Sequence, residues 1–166
     1  MEAGIHYTTK AQLVEVVYFD NRTRDLIVYA PGPVNVNQAR IDGVEISYTG
    51  QYGDTGVKAA LTSQNPRDET TGKALVRRAN FHSSMALSQK IAGWQLGAEW
   101  LNSGERPDAG KTLPGYDVFN LTASYALNKE TKLALRADNI TDQNDATVYG
   151  YNPLGRTLFV NMSYQQ

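Results

Sequence analysis

The sequence predicts an all-β chain: an antiparallel up-and-down β-barrel, or a barrel segment, of about eight to nine strands. Three observations carry this reading. Apolar residues recur with period two, no stripe at i, i+3, i+4 is sustained, and tight and long links alternate along the chain. Ten Tyr and 14 Gly against four Phe in 166 residues lean the same way, toward strands and turns.

Nine strand-like segments fall near residues 2–8, 11–22, 38–52, 56–65, 77–91, 93–103, 115–126, 131–139 and 155–165. The second is mixed, with Val14, Val16 and Tyr18 facing one way and Leu13, Glu15, Val17 and Phe19 the other. Gly43, inside the third, suits a bulge or a close backbone approach. In the sixth, Trp94, Leu96, Ala98 and Trp100 oppose Gln95, Gly97 and Glu99. In the seventh, Phe119, Leu121, Ala123 and Tyr125 oppose Val118, Asn120, Thr122 and Ser124. Leu133, Leu135 and Ala137 form the apolar side of the eighth; Leu158, Val160, Met162 and Tyr164 form that of the ninth. Several segments exceed the five or six residues usual in soluble sheets and approach the ~9–11 of a tilted strand crossing a bilayer.

The links sort by length. Tight turns are expected at Thr8-Thr9-Lys10, Gly53-Asp54-Thr55-Gly56, Ala92-Gly93 and Asn128-Lys129-Glu130. Longer links are expected around Ala30-Pro31-Gly32-Pro33, over Pro66 to Gly72, from Gly104 to Pro114 and from Ile140 to Gly155. In an up-and-down array every second link lies at the same end. Short turns at one end and long loops at the other are the arrangement of outer-membrane barrels, whereas a soluble sandwich has no reason to sort its loops.

Composition excludes much. With no cysteine there is no disulfide framework, thiolate zinc site or cysteine nucleophile. A formal net charge of −1 argues against nucleic acid as a partner. Mean hydropathy is −0.45, and no run approaches the ~20 apolar residues of a spanning helix. The opening residues carry no signal peptide. His6 and His82, the two histidines, lie far apart in strand-like segments, and the sequence has no nucleophile elbow, HExxH, P-loop or dinucleotide fingerprint. The carboxylates of Gly104-Glu105-Arg106-Pro107-Asp108 read as solvated loop charges, and Asp138, Asn144 and Asp145 are too scattered for a calcium site. The sequons at Asn21, Asn120, Asn139 and Asn161 are what chance supplies in a chain of this composition. No catalytic residue, metal ligand or cofactor is assigned, and ligand-binding residues are not located.

The faces opposite the apolar ones carry Gln95, Glu99, Arg136, Asp138, Asn161 and Gln165 among small residues, which suits a hydrated lumen better than the dense Lys and Glu of a soluble surface. Trp94, Trp100, Tyr116, Tyr125 and Tyr164 fall near strand ends, where membrane barrels keep aromatic girdles.

Several phrases carry a family resemblance. Arg136-Ala137-Asp138-Asn139-Ile140-Thr141-Asp142-Gln143-Asn144-Asp145, then Tyr149-Gly150-Tyr151-Asn152-Pro153-Leu154-Gly155-Arg156-Thr157 and alternation to the end, resemble the tail of a TonB-dependent outer-membrane receptor. Asp25-Leu26-Ile27-Val28-Tyr29, Asn37 to Glu45, Ser103 to Asp108 and Leu113 to Asn120 resemble further phrases of that family, in the right order. The spacing is most similar to the cobalamin-transporter branch. Asn139, Thr141, Asp142, Pro153 and Gly155 read as capping and turn residues rather than ligand contacts.

The resemblance implies a 22-stranded barrel plugged by an N-terminal domain. Residues 1–166 then read as one segment from its C-terminal part, without plug or signal peptide, whose parent resides in the bacterial outer membrane. Family members usually end in an aromatic residue, and Gln166 stands on the face of Tyr164 where that residue would be. An excised or engineered piece is therefore one expectation. The implied role is non-catalytic: wall and extracellular loops of a transporter for a cobalamin- or siderophore-like nutrient, with loops 66–74, 104–114 and 140–154 placed for contact by location. Implied partners are outer-membrane lipid, the nutrient, and TonB only through segments these residues do not include. An open sheet also leaves edges for self-association, either by closure of segments two to nine into an eight-stranded barrel or by pairing with a second copy. A soluble ligand-binding β-barrel resembling lipocalins, apolar faces inward, is the other reading.

Overall fold

The computed structural model describes residues 1–29 and 32–165. Ala30 and Pro31 of the expected second link, and Gln166 with its expected facing, lie outside the described residues.

Nine strands form one antiparallel sheet in near-sequential order: β1 (Glu2–Thr8), β2 (Gln12–Tyr29), β3 (Pro33–Tyr52), β4 (Thr55–Asp68), β5 (Phe81–Ile91), β6 (Trp94–Ser103), β9 (Tyr116–Ala126), β10 (Thr131–Asp138) and β11 (Thr157–Tyr164). A two-stranded ribbon, β7 (Arg106–Asp108) with β8 (Lys111–Leu113), is set into the link between β6 and β9. The described residues contain no helix.

All nine expected strands are present, with four corrections. First, β2 runs well past 22 and β3 begins well before 38, with pairing up to Tyr29 opposite Pro33 that passes over Asp25 at φ 55°. Thr23 and Arg24, beyond the expected end at residue 22, are ladder-paired with Ala39 and Gln38. The ion pairs lie at the base of this stretch: Arg40 makes two bonds to Asp20, at 2.8 and 2.9 Å, Arg67 binds Asp42 at 2.6 Å, and Arg22 stands 3.6 Å from Asp20 on its own strand. That link is therefore a projecting hairpin rather than a loop, the one exception to the expected alternation. Second, β5 begins at Phe81 rather than 77, because Arg77 adopts φ 61° and cannot continue a strand. Third, the β7–β8 ribbon was hidden by its turn. Ala109 (φ 48°) and Gly110 (φ 73°) both take the left-handed conformation of a tight hairpin, without the Asn-Gly or Asp-Gly signature.

The fourth correction concerns closure. Strand β2 is paired on both sides, by β1 and β3, so segments two to nine do not close on themselves. Strands β1 and β11 are the two edges of an open sheet, each with one neighbour.

Register locks one face across the whole sheet. One row runs Leu87, Ala98, Leu121, Ala137, Leu158; another runs Ile5, Val16, Ile46, Leu61. The mixed β2 resolves here, with Val14, Val16 and Tyr18 on this apolar face. It is uncovered: Ile5, Leu96, Leu121, Val160 and Met162 are exposed. Where Ala98, Ala123 and Ala137 alternate with leucines, a shallow groove of about 550 Å³ remains. Trp94 and Tyr125 stack at one margin, ring centroids 5.0 Å apart. At the other, Trp100 donates to Asp117, and the Asp20–Arg40–Asp42 pairs begin immediately beyond Tyr18 and Val44. Apolar residues thus form a band bounded by aromatics and then by charges.

The opposite face carries Glu15, Glu45, Lys58, Glu99, Asn120, Lys132 and Arg136. Asn120 donates to Glu99 at 2.9 Å, and Arg136 lies over the Phe159 ring. Tyr116 belongs to this face, not to a girdle, because it pairs with Ser103, three residues beyond Trp100 of the apolar rows, and an odd offset along a strand changes face. The buried apolar core is small and lies at the long-loop end, where Leu75 packs with Val36 and Ala39 of the projecting hairpin. The described strands form an open sheet with its apolar face uncovered, not a closed barrel with the apolar faces packed inside.

Gly43 makes a close approach rather than a bulge, since β3–β4 register runs through it unbroken. A Cβ there would meet the Ser63 carbonyl oxygen at 2.3 Å and Phe19 at 2.9 Å. Gly43→Ala should cost about 1–3 kcal/mol, read as a lowered urea midpoint in detergent micelles. An unchanged midpoint would remove the steric argument.

Candidate functional site

The long links converge at one end of the polar face, and two of the expected loops meet a third there. The link 69–80 contributes Arg77, the β7–β8 ribbon contributes Arg106 and Asp108, and the link 139–156 contributes Ala146 and Tyr149. Asp108 is 0% exposed. Its Oδ1 accepts from Arg77 Nε at 2.9 Å and its Oδ2 from the Tyr149 amide at 2.7 Å. One carboxylate thereby ties three links. The Arg77 amide adds a bond to the Pro107 carbonyl, and Lys111 Nζ lies 4.9 Å from the Tyr149 ring centre.

Arg106, 4% exposed, is the second tie. Its Nη1 donates to Ser103 Oγ and the Gly104 carbonyl, its Nη2 to the Ala146 carbonyl, and its guanidinium carbon stands 5.0 Å from the Tyr116 ring centre. Burial of Asp108 beside Arg106 corrects the expectation of solvated carboxylates in this run, while Glu105 is exposed as expected. Three links packed together exclude water that a lone loop would keep. The phrase Arg-Pro-Asp was visible in the sequence, but its partners Arg77 and Tyr149 lie 31 and 41 residues from Asp108, beyond any local pattern.

Below these ties, two adjoining cavities open on the polar face. One, of about 420 Å³, is lined by Arg77, Arg78, His82, Ser103, Arg106 and Tyr116 among others. The other, of about 330 Å³, shares His82, Ser103 and Tyr116 and adds Asp145. His6, far off in β1, stands opposite Glu15 and belongs to neither. Asp138 is engaged by Arg136 at 2.7 Å, and Asn144 accepts from the Ala146 amide.

The capping residues behave as turn formers. Asn139 (φ 50°) exchanges bonds with the Gln143 backbone, and Asp142 (φ 55°) accepts from the Arg156 amide at 2.9 Å. The loop segment 66–74 bridges its own ends through Arg67 and Ala74 and lies instead along the projecting hairpin, where the Glu69 amide donates to the Gln38 carbonyl.

A family model described as "TonB dependent receptor-like, beta-barrel" matches residues 1–140. Among curated proteins, the chain is 26% identical over 179 residues to the vitamin B12 transporter BtuB of Vibrio vulnificus, covering 99% of this chain and 29% of that one. It is 27% identical over 164 residues to BtuB of Vibrio cholerae, covering 89% and 26%. Among solved structures, it is similar to the ferric enterobactin receptor PfeA of Pseudomonas aeruginosa, with a TM-score of 0.81, 19% identity and coverage of 98% and 30%. The siderophore receptor PirA of Acinetobacter baumannii gives 0.81, 17%, 98% and 31%. The copper transporter OprC gives 0.78, 19%, 98% and 30%. The structural likenesses speak for the fold, and the chain spans under a third of the length of each of these relatives.

Proposed function

The chain belongs to the TonB-dependent receptor β-barrel family, and from that premise we propose that it forms wall and external loops of an outer-membrane nutrient transporter. Its apolar face meets lipid and its polar face lines the lumen. The observation that supports this most is the unbroken register of apolar rows through nine strands, bounded by aromatics and then by ion pairs. The role is non-catalytic. A cobalamin- or siderophore-like nutrient touches the cavities beneath the tied links, where Arg78, His82 and Tyr116 are presented. TonB engages other parts of the parent protein.

The absence of cysteine makes the test direct. Single cysteines along β6, labelled with a fluorophore after folding into vesicles, should be quenched by brominated lipid at Leu96 and Ala98. They should be quenched by aqueous iodide at Gln95 and Glu99. The reverse pattern, or no alternation, overturns the wall assignment. Cyanocobalamin and a ferric siderophore, dialysed in turn against the folded chain, test the nutrient: retention of neither removes substrate contact from these loops.

A further inference from the structure

Three arginines converge on the larger loop-end cavity, and their charges are unevenly met. Arg77 is neutralised by Asp108. Arg78 and Arg106 have no carboxylate partner among the described residues. Arg78 is exposed and gives one bond, to the neighbouring Arg77 carbonyl. Arg106 is the sharper case. It is more than nine-tenths buried, its partners are neutral oxygens and an aromatic face, and its Nε finds no acceptor. Asp145, the other acid nearby, lines the adjoining cavity and pairs with none of the three. A buried guanidinium without a counter-charge is unfavourable in a water-poor setting unless an anion completes it.

We infer that this cavity is an oxyanion site, taking a carboxylate or phosphate group between Arg78 and Arg106, with Ser103 and the Tyr116 ring in its wall. The guanidinium fork suits planar or tetrahedral oxyanions, which accept two parallel N–H bonds. Ser103 Oγ is already oriented toward Arg106, so the pocket is built before any ligand arrives. Compact inorganic anions and the anionic group of a larger nutrient share this chemistry. The inference gives the proposed nutrient cavity a ligand class and rests on that reading for its biological use, while binding itself is independent of it. The site favours negatively charged molecules over neutral ones of equal size.

Calorimetric titration of the full chain, folded in neutral detergent micelles, with inorganic phosphate and separately with citrate tests it. Saturable binding of at least one probe is expected. Phosphate alone identifies the compact ion, and citrate alone or more tightly identifies the carboxylate group of a larger molecule. Arg78→Gln, at an exposed position with no structural bond from its side chain beyond one carbonyl, should weaken binding at least tenfold. Arg106→Lys, which keeps the charge but not the fork, should weaken it several-fold. Arg24→Gln, on the projecting hairpin, should leave it unchanged. No saturable binding of either probe, or equal loss in Arg24→Gln and Arg78→Gln, overturns the site. The fluorescence alternation along β6 would stand in either case, so the failure of one proposal is distinguishable from that of the other.

Discussion

Leu121→Arg is expected to lower folding stability in a lipid bilayer by about 2–4 kcal/mol, while Ser124→Arg, three residues along the same strand, leaves it nearly unchanged. Leu121 is 45% exposed on the apolar face, with Ala98 and Ala137 beside it in register. No charge shares that row. The nearest on this face of β9, Asp117, is about 14 Å toward the loops at about 3.4 Å per residue. An arginine at 121 therefore lies at membrane depth without a partner. Ser124 sits opposite Gln95 and Ala134 on the polar face, where added charge stays hydrated. Urea titration in vesicles compares the two. Equal costs would mean that the faces are not distinguished by lipid.

Asp108→Ala is expected to free the three links it joins, at about 2–3 kcal/mol of local stability. The figure stands at the lower end for a buried pair because Arg77 is 32% exposed and recovers some hydration. The Tyr149 amide should exchange with solvent about a hundredfold faster, and proteolysis should appear within 104–115 and 139–156. The nine-stranded sheet should keep its exchange protection, since Asp108 contributes nothing to its ladder. Unchanged protection at Tyr149 would show that the carboxylate is not the tie.

The same carboxylate predicts a pH dependence. Burial pushes its pKa up, but the Tyr149 amide and the Arg77 guanidinium outweigh this and hold it below the ordinary carboxylate range. With the folded value lowered, its contribution is complete above the unfolded value of about 3.9 and is lost as pH falls through the folded value. Tyr149 exchange should therefore stay slow near neutrality and accelerate below about pH 4. Asp108→Asn should abolish that acid step.

Much of the fold was legible because period two is a local property: each strand announces its two faces without reference to its neighbours. Trp94 to Trp100 and Phe119 to Tyr125 could be sorted from the sequence, and register then placed them side by side. The misjudged regions share a cause. The second segment ends early in the sequence because Arg24 and Asp25 interrupt its alternation, and only pairing with β3 carries the strand past them. Tyr116 looked like a girdle residue because nearness to a strand end does not say which face a ring occupies. Ala109 concealed a hairpin because an alanine stands where the turn usually takes Asn or Asp.

By itself, then, the sequence determined the all-β class, the number of strands in the main sheet, the sorting of links by end and the family. These follow from alternation, turn chemistry and short phrases, all of which act over a few residues. Tertiary structure alone decided that the sheet stays open and that the β2–β3 hairpin projects. It also decided that Arg77, Arg106, Asp108 and Tyr149 meet. Those outcomes depend on which groups, tens of residues apart, exclude water from one another, and burial of a charge becomes visible only when the elements around it are in place.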